Sequence, residues 1–200
     1  SNVYPWMSIA KDSGAVIKTI FAPDTRVNRG KQWSERILNA ISTKTKLVAC
    51  GHIHWADGTW FDLVSIRQRS TEVGALLVVD GTQSLGAFPF DVQEIQPDAL
   101  IAAGYKSMMG PYSIGMAYYG PVFDNGNPIE ENWINRFESE NFANLVNYNE
   151  NYQPQALRYE VGEHSNFILV PMLLDGFKVL NELGAENIKN YCDSIVTEPI

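Results

Sequence analysis

Two hundred residues, 45% of them hydrophobic and 12% aromatic, are ample for the core of one globular domain or one and a half. A net charge of -8 and a pI near 4.8 exclude a nucleic-acid partner, which would need clustered Lys and Arg. No apolar run approaches the roughly 18 residues of a membrane span, and the first residues carry no basic stretch followed by an apolar one, so neither membrane anchor nor signal peptide is expected and the cytoplasm is the expected compartment.

In chain order, Pro5 opens a short helix over residues 1–12, with Trp6, Ile9 and Ala10 on one face and Gly14 as its stop. Residues 15–22 alternate as a strand. Residues 31–41 space Trp33, Ile37, Leu38 and Ile41 along a helix face, and residues 47–50 resume a strand. Cys50 lies in this apolar run as a core residue, and with Cys192 it matches no CxxC pair, which points to reduced thiols. The segment from Gly51 to Gly58 (GHIHWADG) follows that strand. His52 and His54 with Asp57 have the makings of a metal site, but no third strong ligand is close in sequence and none is expected. For His54 the plain alternative is a histidine hydrogen-bonded in a strand-to-loop turn. Residues 61–74 form a crossover helix placing Leu63, Ile66 and Val73 inward and ending at Gly74.

Two short branched runs follow, 75–79 and 99–103, each too brief for a helix and suited to buried strands. Asp80 closes the first; Gly104-Tyr105-Lys106 closes the second. Both ionisable groups therefore emerge where the strands of an open α/β sheet deliver ligand contacts. A carboxylate there needs a cationic partner or dense donors, and a lysine between glycines, with few other charges near, is expected to be desolvated and nucleophilic. An acid for a pyridinium and an amine for a Schiff base are the protein groups that pyridoxal 5'-phosphate (PLP) chemistry needs. The alternatives are a turn-forming Asp-Gly and a solvated lysine.

Residues 116–120 return as another strand, and residues 121–155, rich in Asn, Glu and aromatics with Gly and Pro breakers, form a long functional or interface loop. A helix over 166–183 buries Phe167, Val170, Leu173, Leu174 and Phe177, Gly184 breaks it, and 185–195 continue as another helix. The strand, helix, strand rhythm is that of a mostly parallel sheet.

The ordered set of apolar strand, Asp80, Gly81, Thr82 and Gln83, then Gly86, Asp91, Asp98, Gly104-Tyr105-Lys106, Gly110-Pro111 and Gly115, resembles the class V aminotransferase family of PLP enzymes, which also holds cysteine desulfurases and kynureninases. The resemblance implies a three-layer α/β/α fold with a mostly parallel sheet, the large domain of a PLP-dependent transferase. Carried over by position, it makes Lys106 the catalytic Schiff-base lysine, Asp80 the partner of the pyridine nitrogen and Gln83 the donor to the ring oxygen. It also puts His52, Trp55 and Tyr105 beside the cofactor. Arg158-Tyr159-Glu160-Val161-Gly162 is similar to the family's Arg-Phe-Glu-x-Gly element, with Glu163-His164-Ser165 standing where many relatives carry Thr-Pro.

By the same resemblance, residues 1–165 are part of the PLP-binding large domain and 166–200 are helices leading toward a small C-terminal domain that is not present. The upstream phosphate loop and the ring-stacking residue are likewise missing. The expected activity is a PLP-dependent transformation of an amino acid or amine, in a homodimer with sites near the subunit interface. The alternative is a non-catalytic fragment or dimerisation scaffold of the same fold.

Overall fold

Short apolar runs without polar alternation are satisfied when both their faces are covered, as in a parallel sheet. In the computed structural model, which describes residues 2–197, the runs form β1 (Leu47–Gly51), β2 (Leu76–Asp80) and β3 (Ala99–Ala103), paired parallel in that order. β4 (Gly115–Tyr119) folds back antiparallel beside β3, so the sheet reads β1-β2-β3-β4. The mostly parallel sheet expected from the strand spacing is present.

Helices α1 (Tyr4–Ser13) and α2 (Arg29–Ala40) precede β1, and α3 (Leu63–Val73) and the single turn α4 (Val92–Ile95) connect β1 to β2 and β2 to β3. Alternate strand residues point to opposite faces. One face sends Leu77, Val79 and Leu100 into a core with Trp33 and Ile37 of α2, Ile66 of α3 and Ile95 of α4. The opposite face carries Val78 and Ala99, both buried, and Ile101, which is 43% exposed. Asp62 starts α3 by accepting a hydrogen bond from Ser65 N at 3.0 Å, and Gly74, at φ 71°, ends it.

Two aspartates of the motif hold this frame together. Asp98 Oδ2 accepts from Leu77 N at 2.7 Å and from Arg67 Nη1 at 2.6 Å, locking α3 and β2 to the start of β3. Asp91 caps α4 by accepting from the backbone nitrogens of Gln93 and Glu94. Their part in the motif is to set strand position.

Three sequence expectations change. Residues 15–22 form no regular element and pair with no strand among the described residues; instead Trp33 Nε1 donates to Ile20 O at 2.9 Å and Arg36 Nη1 donates to Ala22 O at 3.1 Å. Helix α1 buries none of its side chains. Helix α5 (Leu169–Leu183) starts later than 166 and turns Leu173, Gly176 and Leu180 inward, while Phe167 is 87% exposed and Val170 and Leu174 are exposed. α5 is apolar on several sides, so periodicity alone could not choose its buried face.

Helix α6 (Ala185–Thr197) follows; Ser1 and residues 198–200 of the expected organisation lie outside the described residues. Among the described residues no helix is long and apolar enough to cross a membrane.

Candidate active site at the strand ends

The C-terminal ends of β1, β2 and β3 lie side by side, because Gly51 pairs with Asp80 and Asp80 with Ile101. Ligands of open α/β sheets bind at this edge. Past Asp80 the chain curls into consecutive turns over residues 82–88, with Leu85 N donating to Gly81 O at 2.9 Å. Asp80 Oδ1 accepts from Thr82 N at 3.0 Å, so the acid is half-buried and anchored to its own turn. Gln83, on the same turn, is half-buried, and its side-chain amide makes no hydrogen bond among the described residues.

Beyond β3, residues 104–114 form the loop that carries the lysine. Met109 N donates to Lys106 O at 3.0 Å and Gly110 N donates to Gly104 O at 2.8 Å, closing a tight turn around Lys106. Its floor is a small apolar cluster of Ala102, Met108 and Leu173, joined by Leu85, Ile114 and Phe177.

Two glycines make the fit possible. A Cβ on Gly86, which sits at φ +97°, would lie 2.5 Å from Ser107 O. A Cβ on Gly176 of α5 would lie 2.9 Å from the carbonyl oxygens of both Met108 and Met109. The acid turn and α5 are therefore both pressed against the lysine loop. Gly176 escaped the sequence reading; an isolated glycine inside an apolar helix was the available signal.

Lys106 itself is exposed, contrary to the desolvated setting expected from the sparse charge around it. It forms no ion pair among the described residues, and its Nζ lies 5.9 Å from the Tyr105 ring centroid. Tyr105, 41% exposed, stacks on Tyr112 with centroids 4.4 Å apart and planes inclined by 13°. Trp55 is 78% exposed on the loop after β1.

His52 lies inside the fold at the end of β1. It is 3% exposed, walled by Phe88 and Phe90 at ring-centroid distances of 5.3 and 5.2 Å, and its Nε2 accepts from Trp60 Nε1 at 3.0 Å. These contacts brace the end of β1 against the turn after β2, while Nδ1 is buried without a hydrogen-bond partner among the described residues. Burial lowers its pKa from 6.5 to about 4. The unfolded chain thus binds a proton between those values that the fold excludes, so stability is full above pH 6.5 and falls as pH drops toward 4. The loss expected from this ring is about 3 kcal/mol. Urea unfolding at pH 7 and pH 4 should show that slope, and His52→Asn should flatten it.

His54 hydrogen-bonds Asp57 Oδ1 through Nδ1 at 2.7 Å, while Arg29 Nε reaches Asp57 Oδ2 at 3.0 Å. Desolvation pushes the Asp57 pKa up, but hydrogen bonds from His54 and Thr59 outweigh it and hold the carboxyl well below the usual range. This is the turn histidine that the sequence left open. Among the described residues no three His, Cys, Asp or Glu side chains gather as metal ligands.

Arg158 is also committed, donating to Gly126 O at 3.0 Å and to Gln153 O at 3.1 Å, so it fastens two loops together. Burial pushes the Cys50 thiol up to about 12, which leaves it protonated and unreactive.

An acid and an uncommitted amine thus stand on neighbouring strand ends in the order of the sequence motif. A family profile described as Aminotransferase class-V matches residues 1–197. The chain belongs to the class V aminotransferase family.

Among class V relatives, a probable cysteine desulfurase of Synechocystis sp. is 30% identical over 202 residues, covering 96% of this chain and 43% of the relative. A probable cysteine desulfurase of Mycolicibacterium paratuberculosis is 27% identical, covering 96% of this chain and 26% of the relative. In three dimensions the chain is similar to the apo cysteine desulfurase of Thermococcus onnurineus NA1, with a TM-score of 0.73 and 23% identity over 94% of this chain and 44% of that one. It is also similar to a C-DES mutant with glycine covalently linked to the PLP cofactor, with a TM-score of 0.69 and 22% identity over 78% of this chain and 41% of that one. The fold is that of the class V enzymes. The chain spans less than half the length of these relatives.

Proposed function

We propose that this chain is the catalytic part of the PLP-binding large domain of an enzyme that transforms an amino acid or amine, with residues 1–165 in that domain and 166–200 leading toward a C-terminal one. The observation that carries this reading is the emergence of Asp80 and Lys106 from the same edge of adjacent parallel strands, with their loops packed together. The donor set fits PLP: an anchored carboxylate and, among the described residues, an uncommitted side-chain amide on Gln83 and an amine without an ion pair.

When bound, PLP supplies an electron sink for negative charge at the substrate α carbon. Lys106 would hold the cofactor through Nζ, and its amine, when free, would serve as the proton carrier at the substrate α carbon. Asp80 would keep the pyridine nitrogen protonated, Gln83 would donate to the ring oxygen, and Tyr105, Trp55 and His52 would lie beside the cofactor. The Cys50 thiol, held protonated within β1, is no mobile sulfur carrier, and the proposed substrate class is amino acids and amines. A cytoplasmic homodimer, with each site near the subunit interface, completes the proposal.

The test is direct. The full-length gene product should turn yellow with PLP, be bleached by borohydride, and carry the reduced adduct on the peptide containing Lys106. A colourless protein overturns the reading and favours a non-catalytic scaffold, and an adduct on another lysine overturns the assignment of Lys106.

A further inference from the structure

We infer that Thr82 is a positioning residue that sets the Lys106 loop relative to the Asp80 carboxylate, an assignment that rests on PLP being held between those two groups. The register of β2 with β3 ends at Asp80 paired with Ile101, and Gly81 N still reaches Ile101 O at 2.8 Å. Ala103, two residues further along β3, extends past the last paired residue of β2. Its N–H is taken by a side chain: Ala103 N donates to Thr82 Oγ1 at 3.1 Å.

The Thr82 hydroxyl therefore stands in for a strand carbonyl and adds one rung to the ladder. The backbone N of the same residue donates to Asp80 Oδ1 at 3.0 Å. One residue thus grips the acid with its main chain and the strand end that launches Lys106 with its side chain. Because the hydroxyl sits on a β-branched carbon, its rotamer is restricted, and the link is stiff. The close approach of Gly86 to Ser107 O presses the next part of the acid turn onto the residue after Lys106, so the rung and the packing act in the same direction.

Thr82→Val keeps the shape and removes the acceptor; Thr82→Ser keeps the acceptor. In the full-length gene product without PLP, amide exchange at Ala103 should quicken about tenfold in Thr82→Val and stay near the parent rate in Thr82→Ser. With PLP bound, the pH midpoint of the visible absorbance band should shift in Thr82→Val and be restored in Thr82→Ser.

Unchanged exchange at Ala103 overturns the hydroxyl link, and quickened exchange with an unmoved pH midpoint overturns the positioning role. If Thr82→Val does not fold, Thr82→Ala carries the same two measurements. Absence of lysine-bound PLP in the parent protein overturns the PLP reading and this assignment with it. An unchanged exchange rate with PLP attached to Lys106 removes the Thr82 assignment alone.

Discussion

Replacing Lys106 with alanine is expected to leave the full-length gene product unable to retain PLP through borohydride reduction and dialysis. Turnover of its amino-acid or amine substrate should fall by at least about 10²–10⁴-fold, the contribution of a positioned proton carrier alone. The loss should be chemical and not structural. Lys106 is exposed, makes no ion pair among the described residues, and its Nζ lies 5.9 Å from the Tyr105 ring centroid. Surface substitutions of this kind move stability by about 0.5 kcal/mol or less, so the melting curve should stay in place. Lys106→Arg is the sharper variant, since it keeps the positive charge beside Tyr105 while a guanidinium cannot form the covalent link. Borohydride-stable PLP in either variant, mapped to another lysine, would remove Lys106 from its role.

How far the site was legible in the sequence depended on which interactions are local. β1, β2 and β3 could be read because continuous burial writes itself as short branched runs, and the placement of Asp80 and the Lys106 loop at adjacent strand ends followed from two such runs ending in an ionisable residue. Residues 15–22 carry a similar pattern, yet an extended run becomes a strand only when a neighbour takes its hydrogen bonds; here the Trp33 and Arg36 side chains take carbonyls instead. The inward face of α5 was illegible for another reason. Close approach to the Met108 and Met109 carbonyls selects the side that has no Cβ, at Gly176, over the bulkier Val170 and Leu174. The setting of Lys106 was misjudged because burial is a property of what packs nearby, and few charges in the sequence do not imply few water molecules in space. Thr82 stood within the motif, but its link to Ala103 joins two strand ends that sequence spacing does not bring together.

Asp80→Asn separates the two jobs that the acid performs. An asparagine Oδ1 can still accept from Thr82 N, so the turn that presents Gln83 should persist, while the negative charge disappears. With Lys106 intact, PLP should still attach and borohydride should still fix it. What should fail is the step that depends on a protonated pyridine nitrogen. A neutral amide stabilises that cation far less than a carboxylate does, so α-proton exchange of an amino-acid substrate, followed in deuterated water, should slow by about 10²–10³-fold, as when a transition-state charge loses its fixed partner. Asp80→Ala should lose the same rate and, because the Thr82 N–H then lacks its acceptor, about 1 kcal/mol of stability as well. The two variants together decide between readings of this residue. If Asp80→Asn keeps its exchange rate and Asp80→Ala merely melts earlier, then Asp80 is an ordinary Asp-Gly turn residue, and the cofactor ring is held by other groups. If both lose rate while Asp80→Asn keeps its melting temperature, the charge is the part of Asp80 that the chemistry uses.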